Sequence, residues 1–598
     1  MKKLLVILLL TLSASAYAED TALLHVSQDQ IGKPLLFGSR IVTVNRPWGK
    51  VFSDGQRNAR PVVVHFEFNT DSSMLMLRPH HADPNNPYTP RGGKQTMHPL
   101  SFRIVSEVDG QFLVDVLPAF ATYPKPASAI PVKMLPGPAE RHSILDVKET
   151  PRYYEITGRY VYSDGLDVTA SCYLLFLRET PLAARPVNPE LAGFNCIDIR
   201  MRGGGRRLLP HHWVLQPGSR IDFYVDRDFP ADWYPYIKEG LEDWNKAFRA
   251  IGLGDVLAAH PEPEGLDRNS PLVNMVRYMD VEESNAKGDV LVDPRSGEIL
   301  QADVLWWKNV TQLLKDWRYV QTGAADPQAR RTEYPMEMMG PLIRHAICHE
   351  VGHILGLSHN MGASWAYPSD SLRSPSFTRE YGTCASVMDY ARYNHLATAA
   401  DVQAGVNLLP PRLGPYDYYA IACMYWPGVK EPEPGPYCYF APFISAAISP
   451  DPSAQAETLG NDLLLSSRRG LENCRALLGL DGLTPERQEL LSRQYYRYLS
   501  LALSNIGGTV KGVPVTRKLR RQTLAFVMAS LQNVPPELLD SGQQQRILDE
   551  LTGNFLPERL LRTAGEKELR NYYAHLRCLH CKYPGLPLKD AREWILNH

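Results

Sequence analysis

Short runs of β-branched and aromatic residues fill the first third of the chain. Arg60–Asn69 (RPVVVHFEFN), Ser101–Val108, Phe112–Leu117 and Tyr153–Tyr162 predict strands, and Ser53-Asp54-Gly55, Asp109-Gly110 and Ser163-Asp164-Gly165 predict the turns between them. Asp109-Gly110, set between two such runs, is a hairpin signal. Asp83–Lys94 is a long loop rich in Pro, Asn and Gly. The pattern changes near residue 218. Arg220–Asp226 predicts a strand, and Ala231–Ile251 a helix on which Trp233, Ile237, Leu241, Trp244, Phe248 and Ile251 form one apolar stripe. Strands are expected at Leu272–Tyr278 and Ile299–Trp307, and helices at Met338–Leu357 and Gly414–Trp426. A Pro- and Ala-rich stretch at about 428–456 reads as a linker or winding loop. Beyond it the period is helical. Thr484 is an expected N-cap with Pro485 at N1, and Arg517–Gln532, Gln543–Leu551 and Glu566–Leu576 are further helices.

These elements predict an α+β protein in four parts: a signal peptide at 1–18, an N-terminal β-rich domain at 19–210, a mixed domain of strands and helices at 211–430 and a helical C-terminal region at 431–598. Hydrophobic residues make up 44% of the 598 and charged residues 22%, which is globular usage and excludes disorder over most of the chain. Lys plus Arg is 64 against 65 for Asp plus Glu, so no general basic field exists to attract nucleic acid. Met1-Lys2-Lys3, the apolar run Leu4–Leu12 and Ala16-Tyr17-Ala18 together have the form of a cleavable export signal. The short Lys-Lys start points to a bacterial protein, periplasmic or secreted, and no later apolar run is long enough to span a membrane in the mature chain. Nine cysteines are too few for a disulfide scaffold, and the odd number leaves at least one thiol free or paired with another chain.

The chemistry concentrates at His349-Glu350-Val351-Gly352-His353-Ile354-Leu355-Gly356-Leu357-Ser358-His359, an H-E-x-x-H-x-x-G-x-x-H sequence. On a helix, residues four apart share a face, so His349 and His353 can aim at one point. Gly356 permits the positive φ that ends the helix, and the chain then returns His359 as a third nitrogen ligand. Three protein ligands leave one position of a tetrahedral Zn²⁺ open, as a catalytic site requires. Glu350, about 100° around the helix from His349, flanks the single ion without ligating it and is placed to act as general base.

With these residues the chain resembles the metzincin clan of zinc metalloproteases. Ser386-Val387-Met388-Asp389-Tyr390 resembles the clan's Met-turn, which implies that Met388 floors the metal site and that Tyr390 is an added ligand or transition-state donor. YIKEGLEDWNKAF from Tyr236, DPRSGEI from Asp293, SHNMGASWA from Ser358, DSLRSP from Asp370 and SVMDYARYN from Ser386 are similar to the bacterial exported Met-zincin proteins. That resemblance implies a twisted mixed sheet, an active-site helix, a Met-turn and a zinc-dependent endopeptidase acting on protein or peptide substrates. It also implies an edge strand that binds substrate by β-addition, for which Ile299–Trp307 is the candidate; an interior strand is the alternative reading of the same residues.

Weaker signals leave alternatives open. Cys348 and Cys384 stand where the family usually has other residues, and the implied packing of helix on Met-turn suggests a disulfide between them. Cys578-x-x-Cys581, with His575 and His580 nearby, is half of a zinc site or a local disulfide. Asp389 orients a zinc histidine or braces a turn. His211-His212 are loop residues or distant ligands, and the basic Arg517–Arg521 run is a solvated helix face. Two other functions fit the sequence: a non-catalytic binding protein on a zincin fold, and an enzyme held latent by its N-terminal domain.

Overall fold

A computed structural model describes residues 22–46, 53–57, 61–80, 100–120, 139–183, 193–200, 206–426, 432–442, 449, 451–507, 509–510, 513–532 and 534–552. The expected export signal, the loop at Asp83–Lys94, the last expected helix and the Cys578–Cys581 pair lie outside these residues.

Nine antiparallel strands build the first sheet: β1 (Leu23–Ser27), β2 (Leu35–Val44), β3 (Val62–Phe68), β4 (Met74–Pro79), β5 (Leu100–Val108), β6 (Gln111–Asp115), β7 (Arg141–Glu149), β8 (Tyr153–Val161) and β9 (Asp167–Phe176). Their order is β1-β6-β5-β4-β3-β2-β9-β8-β7. The sheet curls until its ends meet, where the His25 N–H of β1 donates to the Glu149 carboxylate of β7 at 2.8 Å. The β5–β6 hairpin turns on Asp109 (φ 52°) and Gly110 (φ 71°), two successive left-handed residues of the kind that match the twist of paired strands. Inside the curl, Leu24, Leu35, Phe37, Val64, Phe66, Phe102 and Leu174 form one apolar core.

A hairpin of β10 (Cys196–Arg200) and β11 (Arg206–Pro210) leads into a second sheet of five strands: β12 (Ile221–Val225), β13 (Leu257–Pro261), β14 (Asn274–Met279), β15 (Ala286–Val292) and β16 (Ile299–Trp307). The order is β13-β12-β14-β16-β15; the first four are parallel and β15 runs antiparallel on the edge. Ile299–Trp307 is therefore interior. The chain turns at Asp293–Glu298 and pairs β15 along the side of β16 that an edge strand would leave open.

The expected helix at 231–251 is broken. A 3₁₀ turn at Ala231–Trp233 precedes α1 (Tyr234–Glu242) and α2 (Asn245–Ala250). The apolar stripe survives the break, since Ile237, Leu241, Trp244 and Phe248 are fully buried, but Asp243 at the junction pairs with Lys246 and Arg344. After the sheet come α3 (Val310–Thr322) and the long α4 (Met336–Ile354). α1 and α4 pack closely at Gly240, where a Cβ would lie 2.5 Å from the Arg344 carbonyl oxygen. Next are α5 (Pro415–Tyr425) and a helical region of α6 (Leu463–Leu478), α7 (Pro485–Gly507), α8 (Arg517–Gln532) and α9 (Ser541–Thr552). Their shared core joins α3 through Tyr319 and Val320. The basic Arg517–Arg521 run lies on the first turns of α8.

The two sheets meet face to face. Leu36, Val63, Tyr173 and Leu175 of the first pack against Leu291 of β15. Beside that patch is a buried ionic cluster. Asp303 of β16, 1% exposed, lies 3.0 Å from Arg40, 3.3 Å from Arg277 and 3.7 Å from Arg57, and Arg57 also pairs with Asp289 of β15 at 3.0 Å. β2 and the connection that follows it thus contribute Arg40 and Arg57, two of the cluster's three guanidiniums, and the second sheet contributes both carboxylates. No helix among the described residues is long and apolar enough to cross a membrane.

Candidate metal centre

α4 carries Leu342, Ile343, Ile347, Val351 and Ile354 into the core, and that phase fixes the opposite face. His349 and His353 project from it one turn apart, with ring centroids 5.0 Å from each other. The helix ends at Ile354, and Gly356 turns the chain with φ 96°. No side chain could stand there, because a Cβ would meet the His211 carbonyl oxygen at 2.1 Å. The turn returns His359, whose ring centroid lies 4.5 Å from that of His353 and 5.2 Å from that of His349.

The ligand atoms of the three histidines all lie within 4.8 Å of one another, the sole such group among the described residues. His349 Nδ1–H donates to the Val387 carbonyl at 2.7 Å, and His353 Nδ1–H to that of Leu357 at 2.9 Å. Each bond fixes the tautomer and leaves Nε2 as a bare electron-pair donor. Burial, reinforced by the neighbouring imidazoles, holds His349 well below the ordinary histidine range; burial likewise lowers His353 and brings His359 to about 3. Three neutral imidazoles with converging lone pairs, two of their Nε2 atoms 3.1 Å apart, are the donor set of a three-histidine zinc site.

Glu350 is not one of that cluster's donors. The Gly288 N–H of β15 donates to its Oε2 at 2.8 Å, and burial pushes the carboxyl up to about 7. Gly288 is required there, since a Cβ would lie 2.6 Å from the Glu350 carbonyl oxygen and 2.8 Å from His353 Cβ. Met388 is fully buried beneath the helix, its Sδ so close to Gly352 that a Cβ there would approach it to 2.2 Å. Tyr390 rises beside the histidines, with its ring centroid 4.4 Å from that of His359, and burial keeps its phenol protonated.

The Met-turn is anchored by Asp417, a residue that sequence reasoning missed. Its carboxylate accepts the Ser386 hydroxyl (2.5 Å), the Val387 N–H (2.9 Å) and the Gly414 N–H (2.8 Å). The visible signal was Gly-Pro-Tyr-Asp at the start of α5, where an acidic third residue bonds back to the cap. Arg392, also missed, reaches the same site from the far end of the Met-turn. Asp389 receives the Ser364 N–H at 2.7 Å, a contact that braces the turn, while the Nδ1 atoms of His349 and His353 are held by carbonyl oxygens. His211 and His212 lie outside the three-histidine group: His211 is buried against Gly356, and His212 Nδ1 bonds to the Pro210 carbonyl oxygen.

The expected Cys348–Cys384 bridge is absent, and both thiols are free and buried. Cys348 faces the core shared by α1 and the second sheet, whereas Cys384 packs with Ala363, Tyr367 and Leu372 on the other side of the Met-turn. Burial pushes both thiols well up, so neither supplies a thiolate.

Residues 331–573 match the Met-zincin family. The matched segment contains α4, all three histidines, Glu350, Met388, Tyr390 and Asp417. β12–β16 and the nine-stranded sheet lie before it. No curated protein and no solved structure matches the chain. The Met-zincin segment therefore holds every histidine of the centre, while the Gly288 that orients Glu350 comes from outside it.

Proposed function

We propose that this chain is an exported zinc-dependent endopeptidase whose reacting centre is built on His349, His353, His359 and Glu350. The observation that carries the reading is the pairing of three neutral, converging imidazoles with a buried carboxylate that is fixed beside them and is not one of the donors. When bound, zinc would polarise a substrate carbonyl and lower the pKa of a water near it. Glu350, with one oxygen held by Gly288 N–H, takes the proton from the attacking water and passes it to the leaving amide nitrogen. The Tyr390 hydroxyl donates to the oxygen on which charge develops. Substrate lies in extended form along β15, the edge of the second sheet, close to Glu350.

The second reading, an enzyme held latent by its N-terminal domain, predicts that limited proteolysis of that domain raises the cleavage rate. A non-catalytic role would leave the buried Glu350 carboxylate, which is not among the grouped donors, without a task. Cleavage of a denatured protein by the purified mature chain, stopped by chelator and restored by one equivalent of Zn²⁺, tests the activity. Export is tested by sequencing the N-terminus of the chain recovered outside the cytoplasm, which should begin at Glu19.

A further inference from the structure

A recess opens beside the histidine group, lined by His349 and Glu350. Its walls are apolar at Ala286 of β15, Val310 and Leu314 of α3 and Ala346 of α4, and polar at Asn285, His345 and Tyr390. Arg392 is the one arginine or lysine among the lining residues. The Arg392 guanidinium lies with its carbon 3.5 Å from the Trp317 ring centroid and 4.2 Å from that of Tyr390, held between the two faces.

The placement of Arg392 is imposed. Its φ is 60°, in the left-handed region that an arginine seldom adopts. The chain is pinned on both sides: the Tyr390 carbonyl accepts the Glu457 N–H at 2.8 Å, the Tyr393 N–H donates to Gln321 at 2.9 Å, and the Tyr393 hydroxyl to the Leu314 carbonyl at 2.9 Å. Among the described residues no carboxylate lies within ion-pair distance of the guanidinium, although those of Glu457 and Asp389 act on it from farther off, and its buried Nε has no hydrogen-bond partner. Stacking between two rings blocks the faces of the guanidinium but leaves its edge, the part that binds a carboxylate through two parallel hydrogen bonds.

We infer that this recess receives a substrate side chain next to the scissile bond, and that Arg392 makes it select a carboxylate, glutamate above all. The apolar walls suit the two methylenes of a glutamate, and the guanidinium supplies the charge its head requires. A lysine in the recess would meet the Arg392 cation, and a glutamine would leave that cation unpaired. Arg392 is thus a specificity residue of the proposed peptidase, and the inference rests on that reading of the centre.

The test is cleavage of a mixed peptide library by the full-length, zinc-loaded protein, with products sequenced by mass spectrometry. Glu and Asp should be enriched, and Lys and Arg depleted, at one position adjoining the cut. A matched pair of peptides differing as Glu or Gln there should differ roughly 10- to 100-fold in kcat/KM, the scale of a charge-assisted hydrogen-bonded pair. In Arg392→Gln the ratio should fall to about one with zinc content unchanged, and Arg392→Lys should give an intermediate ratio that holds the test if the first variant does not fold. Cleavage with no acidic enrichment, or a Glu/Gln ratio that survives Arg392→Gln, overturns the inference and leaves the peptidase reading intact. If the wild-type chain cleaves nothing, the peptidase reading fails. Binding of the same peptide pair then decides the recess: a Glu preference lost in Arg392→Gln supports it, and equal binding overturns it.

Discussion

Asp303→Asn should be among the most damaging single-atom-scale changes in the protein, although Asp303 lies outside the metal centre. The substitution keeps the size and the acceptor that takes the Met275 N–H at 3.1 Å. What it removes is the charge facing Arg40 at 3.0 Å, Arg277 at 3.3 Å and Arg57 at 3.7 Å, each guanidinium no more than 6% exposed. Among the described residues, Asp289, bound to Arg57, would be the one carboxylate left in ion-pair contact with the cluster. Uncovering a buried charge costs about 3–5 kcal/mol, and three share this counter-ion, so the loss should reach the upper part of that range. Arg40→Met should cost less, about 2 kcal/mol, because Asp303 keeps two partners. Their combination should be milder than the sum of the two, since each removes the same interaction. Burial alone would raise the Asp303 carboxyl, but Arg277, Arg40 and Arg57 hold it below the ordinary range. Its stabilising contribution is therefore present above the unfolded value of about 3.9 and is lost as pH falls through the lower folded value. Asp303→Asn should lack that acid limb. Urea unfolding at several pH values, followed by tryptophan fluorescence, measures all three effects. A variant within about 1 kcal/mol of wild type would refute the view that this cluster clamps the two sheets together.

Gly352→Ala places a methyl 2.2 Å from Met388 Sδ and 2.9 Å from Trp244, so it should destabilise by roughly 1–3 kcal/mol despite alanine's better helix propensity, and Met388→Ala should partly rescue it in thermal melts. Asp417→Ala strands two donors of the Met-turn and the cap N–H of α5, and should cost about 3 kcal/mol or more and weaken zinc retention on dialysis; Asp417→Asn should be milder. A non-reduced digest should show Cys348 and Cys384 as free thiols, with no linked peptide.

The metal centre was legible because its geometry is local. Helical periodicity puts His349 and His353 on one face, and a glycine after the last turn returns the third histidine. The Asp109-Gly110 hairpin was legible for the same reason. β15 was not: Ala286–Val292 (AKGDVLV) carries Lys, Gly and Asp where a strand pattern should show alternation. Its glycine is there to admit α4, and its aspartate to meet an arginine more than 200 positions earlier. Neither reason exists within the segment itself. Reading β16 as a possible edge followed from missing β15. The single helix expected at 231–251 failed at Asp243, where the stripe continues but the side chain is claimed by Arg344 of α4. Arg392 went unremarked because its function depends on a left-handed backbone and two flanking rings that no spacing reveals.

The central claim is that Glu350 moves protons and does not hold the metal. It is tested by measuring zinc content and peptide-cleavage rate on the same samples of wild type, Glu350→Gln and His353→Ala. Glu350→Gln should keep near-stoichiometric zinc and lose about two to four orders of magnitude in rate, the usual contribution of a general base. His353→Ala should lose zinc and activity together, because two ligands remain. A Glu350→Gln enzyme that still cleaves at near the wild-type rate would contradict the account.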